Sequence, residues 1–491
     1  MTTTSRPAER TISTRVPQLR TLVALVLAMT ALVGLPQPAA AHGRLKRSVP
    51  AADARLDTIP THIRLEFSER VELRFSRVVL SRDTGDSVAL SAISFGDTTK
   101  AALVMSIPVA LVPGRYIIRW QTAGTDGHPV RGQFAFSISR SAVRAAPPQS
   151  AAFPPTSASA KAPGSASDVR PPTDPGVDAP ALFDERSMLY VAVRWLQFVA
   201  VFLVVGAFVF SRFVLVRVSG ATDDRAPLLA AARTRTRSIG VGAAATLVLL
   251  QLSRLVAQRT ALQGGGDFRM EVSIAELLIG TAWGTGLLLA AFGSAAAAAG
   301  VWRARQQGRE PFPLIGTGIV AVAIGFGLSG HQAASTFSPS VAVGIDALHV
   351  LATAGWLGTV AVLSLTALPL ALASASTDHS WVAKVLQAFS PVMLVTAGIA
   401  GVTGVLLASL NLGALPALWQ SGYGRVLLVK LGLLSMVTAT GAYNWRRVLP
   451  TAGTPTSTRL LRRSASAEAL IAVAAIVVSA VLVATPLPTM P

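Results

Sequence analysis

From residue 187 onward the sequence is dominated by apolar runs of about twenty residues, and this feature restricts the fold more than any other. Hydrocarbon offers no partner to a free backbone amide, so each run must close its own hydrogen bonds as a helix. The runs predict helices near 187–211, 238–258, 273–299, 312–330, 341–372, 384–410, 424–445 and 466–486, an all-α polytopic membrane bundle of about eight spans. Composition points the same way, since 51% of the residues are hydrophobic and 14% charged, too little charge to cover a soluble chain of 491 residues. The formal charge of +19 would suit a nucleic-acid binder, yet much of the excess sits in short segments between apolar runs, where it orients a membrane protein. Arg212, Arg217, Arg225, Arg233, Arg235 and Arg237 fall in one such segment, Arg303, Arg305 and Arg309 in a second. Arg446, Arg447, Arg459, Arg462 and Arg463 fall in a third, while 331–340 carries no charge. With an even number of helices, this bias predicts a multi-pass cell-membrane protein with both termini outside the cytoplasm and no nucleic-acid partner.

The region before the helices divides into three. Arg6, Arg10, Arg15 and Arg20 precede a short apolar run and an Ala39-Ala40-Ala41 end, the form of a secretory signal peptide over 1–41. The plain alternative is an uncleaved anchor, for which the run is short. Residues 42–140 alternate apolar and polar in brief stretches such as Ile63–Phe67, Gly114–Trp120 and Gln133–Ile138, with turn residues between, and predict a small antiparallel sandwich. Residues 141–186 are rich in Pro, Ala and Ser and read as an extended linker that cannot bury a core. The helical region is then 187–486.

The chain has no cysteine, which excludes disulfides, thiolate metal sites and iron–sulfur clusters. Any metal must use imidazole, carboxylate, thioether, backbone or the terminal amine. Cleavage after Ala41 would make His42 the first residue, offering its amine and Nδ1 together to one ion. Asp126-Gly127-His128 adds a carboxylate and a second imidazole, and this nitrogen- and oxygen-rich set suits tetragonal Cu(II). Asp-Gly is also a common turn, so the tripeptide alone decides little. His62 reads as a surface residue, and His379 as a solvated one in a short loop.

Ionisable groups inside spans are costly and point to function or to ion pairs. Arg194, Arg254, Glu276, Asp346, His349 and Lys430 fall in the same half of the bilayer; for the three cations and Glu276 an ion-pair network is the simpler reading. His331 and His349 are close enough along the chain to converge as a metal relay. Asp346 lies three residues before His349, on the same helix face, where it could orient the imidazole from behind. Packing or hydrogen-bonded histidines are the alternative. Met393 and Met436 could offer thioethers to Cu(I), but read better as gap-fillers.

Residues 42–140 resemble the CopC family of periplasmic copper-binding β-sandwiches, with a Greek-key topology. The resemblance rests on His42, Leu65-Glu66-Phe67-Ser68-Glu69, Pro113-Gly114-Arg115-Tyr116 and Thr125-Asp126-Gly127-His128-Pro129-Val130-Arg131-Gly132. It implies a Cu(II) site at His42, Asp126 and His128. Met105 is the only methionine between 42 and 140, so the Met-rich Cu(I) site of some members is not expected. Most of 187–486 resembles the CopD family, CopC's membrane partner. The matching stretches are Ser329-Gly330-His331, Asp346–Gly358 and Tyr423–Lys430, with Glu468 near the start of the last helix. Together these imply a fused protein that captures Cu(II) outside the cytoplasm and moves copper into or across the membrane, in uptake or resistance, with Cu(I) a possible state in the membrane. No nucleotide-binding loop is present, so ATP coupling is not expected, and the reading is of a non-enzyme with an unidentified reductant or downstream copper acceptor. The competing reading is a copper- or haem-dependent membrane redox protein.

Overall fold

A computed structural model describes residues 45–68, 70–124, 127, 129–144, 188–218, 226–263, 270–334, 338–373, 380–448, 450, 454–485 and 487–488. The expected signal peptide, His42, Asp126, His128, His379 and the expected linker beyond residue 144 lie outside these residues.

The alternating stretches form strands β1 (Leu45–Val49), β2 (Arg55–Ile59), β3 (His62–Phe67), β4 (Arg77–Arg82), β5 (Ser87–Val88), β6 (Ser94–Phe95), β7 (Ala102–Ser106), β8 (Gly114–Ala123) and β9 (Pro129–Arg144). They make two sheets, ordered β1-β3-β7-β6 and β2-β9-β8-β4-β5, antiparallel throughout except for the β2–β9 pair. Because alternate side chains point to one face, Ile63, Leu65 and Phe67 of β3 meet Tyr116, Ile118 and Trp120 of β8 and Phe134, Phe136 and Ile138 of β9 in one core. Phe67 packs edge-on against Trp120 with centroids 5.1 Å apart. Met105 is 1% exposed in this core, so it acts as a packing residue. The Tyr116 hydroxyl donates to the Val112 carbonyl at 2.9 Å, which fixes the entry to β8. Strand β9 continues to Arg144, four residues into the stretch read as linker, because its far end pairs with β2 at Val143 and Arg144.

The second part is a helical bundle. Among the described residues seven helices are long and apolar enough to cross a membrane: α1 (Met188–Val218), α2 (Ala226–Gln263), α3 (Ala282–Gln307), α5 (Pro339–Ala373), α6 (Trp381–Leu412), α7 (Gly422–Val448) and α8 (Arg459–Ala484). An eighth, α4 (Phe312–Leu328), is apolar but shorter. The expected run over 273–299 is broken. A short helix, Ile274–Gly280, stops at Thr281, whose backbone turns extended and whose side chain caps α3 through the Gly284 amide at 2.8 Å. Helix α2 overruns the predicted 238–258 at both ends, since its arginine-rich start and its Gln258–Gln263 end are good helix formers outside the apolar stretch.

The overrun of α2 carries it to the β-domain. Gln121 donates to the Leu262 carbonyl at 2.9 Å and Arg131 to the Ala261 carbonyl at 2.9 Å. Phe75 and Ala123 share an apolar cluster with Leu262, Val272, Leu277, Trp283 and Leu287. The sandwich is therefore seated on one end of the bundle, at the C-terminus of α2 and the N-terminus of α3. Successive spans alternate in direction, so this end also gathers the starts of α1, α5 and α7 and the ends of α4, α6 and α8.

Candidate functional site

The β8–β9 hairpin is the element that touches the bundle most closely. Its last pair is Ala123↔Pro129, and the Gly127 amide donates back to the Gly124 carbonyl at 2.9 Å. Gly127 has φ +82°, and a Cβ there would stand 3.0 Å from Trp283, so both conformation and space require glycine. The Gln258 side chain donates to the Gly127 carbonyl. Thus the middle residue of Asp126-Gly127-His128 is clamped by α2 and α3, although the two flanking side chains lie outside the described residues. The start of β1 lies at the same end of the sandwich: Leu45 pairs with Phe67, and shortly beyond it Val71 bridges to Gly124.

Behind this contact the indole of Trp283 lies under the Arg254 guanidinium, 5.4 Å from carbon to centroid, and Arg254 donates to Ser329 Oγ at 3.3 Å. Next to this layer the bundle holds a cavity of about 1250 Å³, lined by Arg194, Asp346, His349, Tyr423, Lys430 and Glu468 among many apolar residues. Leu394 and Val405 line it while being 73% and 71% exposed, so it also opens sideways between α6 and α7.

The cavity has a polar group at each end. Near the β-domain, Gln332 donates to Asn411 Oδ1 at 3.2 Å and Asn411 donates to the Tyr423 hydroxyl at 2.9 Å, joining the turn after α4, the end of α6 and the start of α7. At the far end Asn444 donates to Glu468 Oε1 at 2.6 Å, and Glu468 is 6% exposed. Between them stands His349. Its Nδ1 lies 3.2 Å from the Ala400 carbonyl and 3.0 Å from Thr403 Oγ1. A carbonyl only accepts, so Nδ1 carries the proton and Nε2 keeps its lone pair, the arrangement of a metal-binding imidazole. Small residues on α6 make room for the ring: a Cβ on Gly404 would lie 3.2 Å from His349 Cε1. Two turns of π-helix flank the cavity, Ala354–Gly358 after His349 and Asn444–Val448 beside Glu468, and such insertions shift side chains off the regular helical register.

Several sequence expectations change in detail. Asp346 lines the cavity with His349, but the partners of Nδ1 come from α6 and not from Asp346; its carboxylate faces Gly327 and lies within reach of the Lys430 and Arg194 charges. His331 begins a short 3-10 turn, His331–Ala334, directly before Gln332; its side chain is not among those described. The expected ion-pair network does not form through Glu276, which is exposed on the short helix Ile274–Gly280. Among the described residues no carboxylate lies within ion-pair distance of Arg194 or Arg254. No cluster of three or more His, Asp or Glu suited to a metal occurs among the described residues. Sequence reasoning passed over Gln258, Gln332, Thr403, Asn411 and Asn444. The signal that could have found them is a neutral amide or hydroxyl inside or capping an apolar span, which needs a partner as a charge does.

Three family models match the chain: CopC domain over residues 45–139, Copper resistance protein D-like, N-terminal domain over 184–337, and Copper resistance protein D over 383–482. The chain is 26% identical over 472 residues to Copper transport protein CutJ of Bacillus subtilis, covering 95% of this chain and 78% of that protein. It is 30% identical over 115 residues to Copper resistance protein C of Escherichia coli, covering 22% of this chain and 89% of that one. The crystal structure of PcoC, a methionine-rich copper resistance protein from Escherichia coli, matches at 30% identity with a TM-score of 0.19, over 20% of this chain and 100% of that one.

Proposed function

This chain belongs to the CopC and CopD copper-protein families, fused in one polypeptide, and from that premise we propose that it captures Cu(II) outside the cytoplasm and passes copper through the bundle. The three family models and the likeness to a copper transport protein support copper transport or resistance as the general role. The finer reading assigns capture to His42, Asp126 and His128, with the signal peptide removed to free the His42 amine. Support comes from the shared end of the sandwich: His42 precedes β1 by three residues, a reach of about 10 Å, and β1 starts at the end where the hairpin meets the helices. The receiving site is His349, presenting Nε2 to the cavity, and His331 is the second imidazole of the relay. Asp346 supplies negative charge to the same cavity.

The observation that carries this reading is the docked hairpin. Its Gly127 is held by Gln258 and Trp283 on the bundle that contains the His349 cavity, so capture and transfer share one assembled surface. Copper is the cargo. The arginine-rich loops at the opposite end of the bundle support an extracytoplasmic sandwich.

The test is copper accumulation in cells expressing the wild type, His349→Ala, or the Asp126→Ala/His128→Ala double variant. Both variants should accumulate less copper at equal membrane abundance. Unchanged accumulation in His349→Ala would remove transport through the cavity and leave only surface copper binding.

A further inference from the structure

We infer that Arg194 is the centre of a binding site for a small inorganic anion of the halide class, set in the wall of the His349 cavity. Arg194 is 4% exposed, and its Nε and Nη1 are buried without an acceptor among the described residues. Gln197, one helical turn on, has an unpartnered Oε1 of its own, so the local carbonyl is not turned to the guanidinium. Two phenyl rings stand beside the cation, Phe198 at 5.4 Å and Phe326 at 5.8 Å from the guanidinium carbon, with their own centroids 6.1 Å apart. Guanidinium N–H groups bond in the plane of the group, and the phenyl rings leave Nε and Nη1 without an acceptor there among the described residues. Gln251 Nε2, in the buried layer with Gln197, is a further donor without a partner.

Charge makes the same demand. Arg194 and Lys430 line the cavity near Asp346, Arg254 lies behind them close enough to Arg194 to repel it, and the cavity's other carboxylate, Glu468, stands at the far end. Unbalanced positive charge in a low-dielectric wall is expensive. The unpartnered donors are buried beside phenyl rings, so a compact, weakly hydrated anion fits them better than a large oxyanion. Where copper passes, the anion also offsets repulsion between these cations and the metal at His349; this last point rests on the proposed function, whereas the binding site itself does not.

The site is tested on purified full-length protein by the chlorine NMR line width during chloride titration, and by anomalous scattering from crystals grown in bromide. Saturable broadening is expected for the wild type. Affinity should fall at least roughly tenfold in Arg194→Gln, with Arg194→Lys between the two. Absence of saturable binding, or equal binding in Arg194→Gln, overturns the site. If Arg194→Gln fails to fold, the wild-type crystals decide: a bromide peak within hydrogen-bond distance of Arg194 supports it, and none there overturns it. A phospholipid phosphate at Arg194 instead, seen by native mass spectrometry, overturns the small-anion assignment. Copper entry into proteoliposomes in chloride and in gluconate tests the coupling. Chloride should speed entry in the wild type and not in Arg194→Gln, and indifference to chloride removes the coupling. No copper entry in either medium would sink the proposed function while the titration still judges the anion site.

Discussion

An imidazole in a membrane span is defined by what its two nitrogens meet. With Nδ1 at 3.0 Å from Thr403 Oγ1 and 3.2 Å from the Ala400 carbonyl, His349 has one nitrogen committed to α6 and, on the proposed function, the other open to copper. Thr403→Val removes one of the two groups that fix this tautomer and keeps the volume. It should weaken copper affinity at the cavity by about tenfold while leaving expression unchanged, measured by copper titration of purified protein. Wild-type affinity in that variant would mean the hydroxyl does not orient the ring. A second residue prediction concerns stability. Burial pushes the Glu72 carboxyl above its ordinary value of 4.5, against the opposing pull of Lys100, Arg74 and Arg70. The folded state then binds the proton more tightly than the unfolded one, so the contribution of Glu72 to stability rises as pH falls through its folded value and levels off below 4.5. Glu72→Gln should raise the melting temperature of the full chain at neutral pH and flatten this part of its pH dependence. His349 was legible in the sequence because an ionisable group in an apolar run is conspicuous. Its bonding was not, because Thr403 lies on another helix and no spacing rule links helices.

Helices α3 and α4 are held by an element-scale feature. Gly286 and Gly293 on α3 face Gly325 and Gly318 on α4, and a Cβ on Gly286 would lie 2.6 Å from the Gly325 carbonyl, one on Gly318 2.6 Å from the Gly293 carbonyl. In lipid, where burial gives helices little reason to associate, such close backbone approach supplies dispersion and weak hydrogen bonds. Gly318→Leu should therefore cost about 1–3 kcal/mol or more through forced separation, read as a lower unfolding midpoint in detergent. An unchanged midpoint would show that the pair is not in close contact. The spacing of seven residues on each helix is visible in the sequence, and so were the spans. Which glycine faces which was not, since helix rotation is set by neighbours. The helix break at Thr281 was hidden for a different reason: hydropathy averages over a window and does not register one side chain capping the next helix.

At the scale of the whole molecule, the decisive relation is between two parts that the sequence presents as separated by a Pro-rich stretch. Such a stretch suggests a sandwich that searches for its partner, and hydropathy cannot report that α2 overruns its apolar run to meet strands β8 and β9. Docking replaces search with a fixed arrangement, in which Arg131 spans the gap to the Ala261 carbonyl at 2.9 Å, a charge-assisted bond of about 1.5–3 kcal/mol. The absence of cysteine allows a clean trial. Arg131→Cys with Ala261→Cys, joined by a thiol cross-linker about as long as an arginine side chain, locks the sandwich onto the bundle. If transfer occurs in the docked arrangement, the locked protein should accumulate copper as well as the same double variant left unlinked, measured in one membrane preparation before and after reductive release of a cleavable linker. Accumulation that stops on linking and returns on release would mean that the sandwich must lift away to deliver its metal. The docked contact would then be a resting pose, and Gln258 and Trp283 would act as a latch on the hairpin in place of a path for the ion.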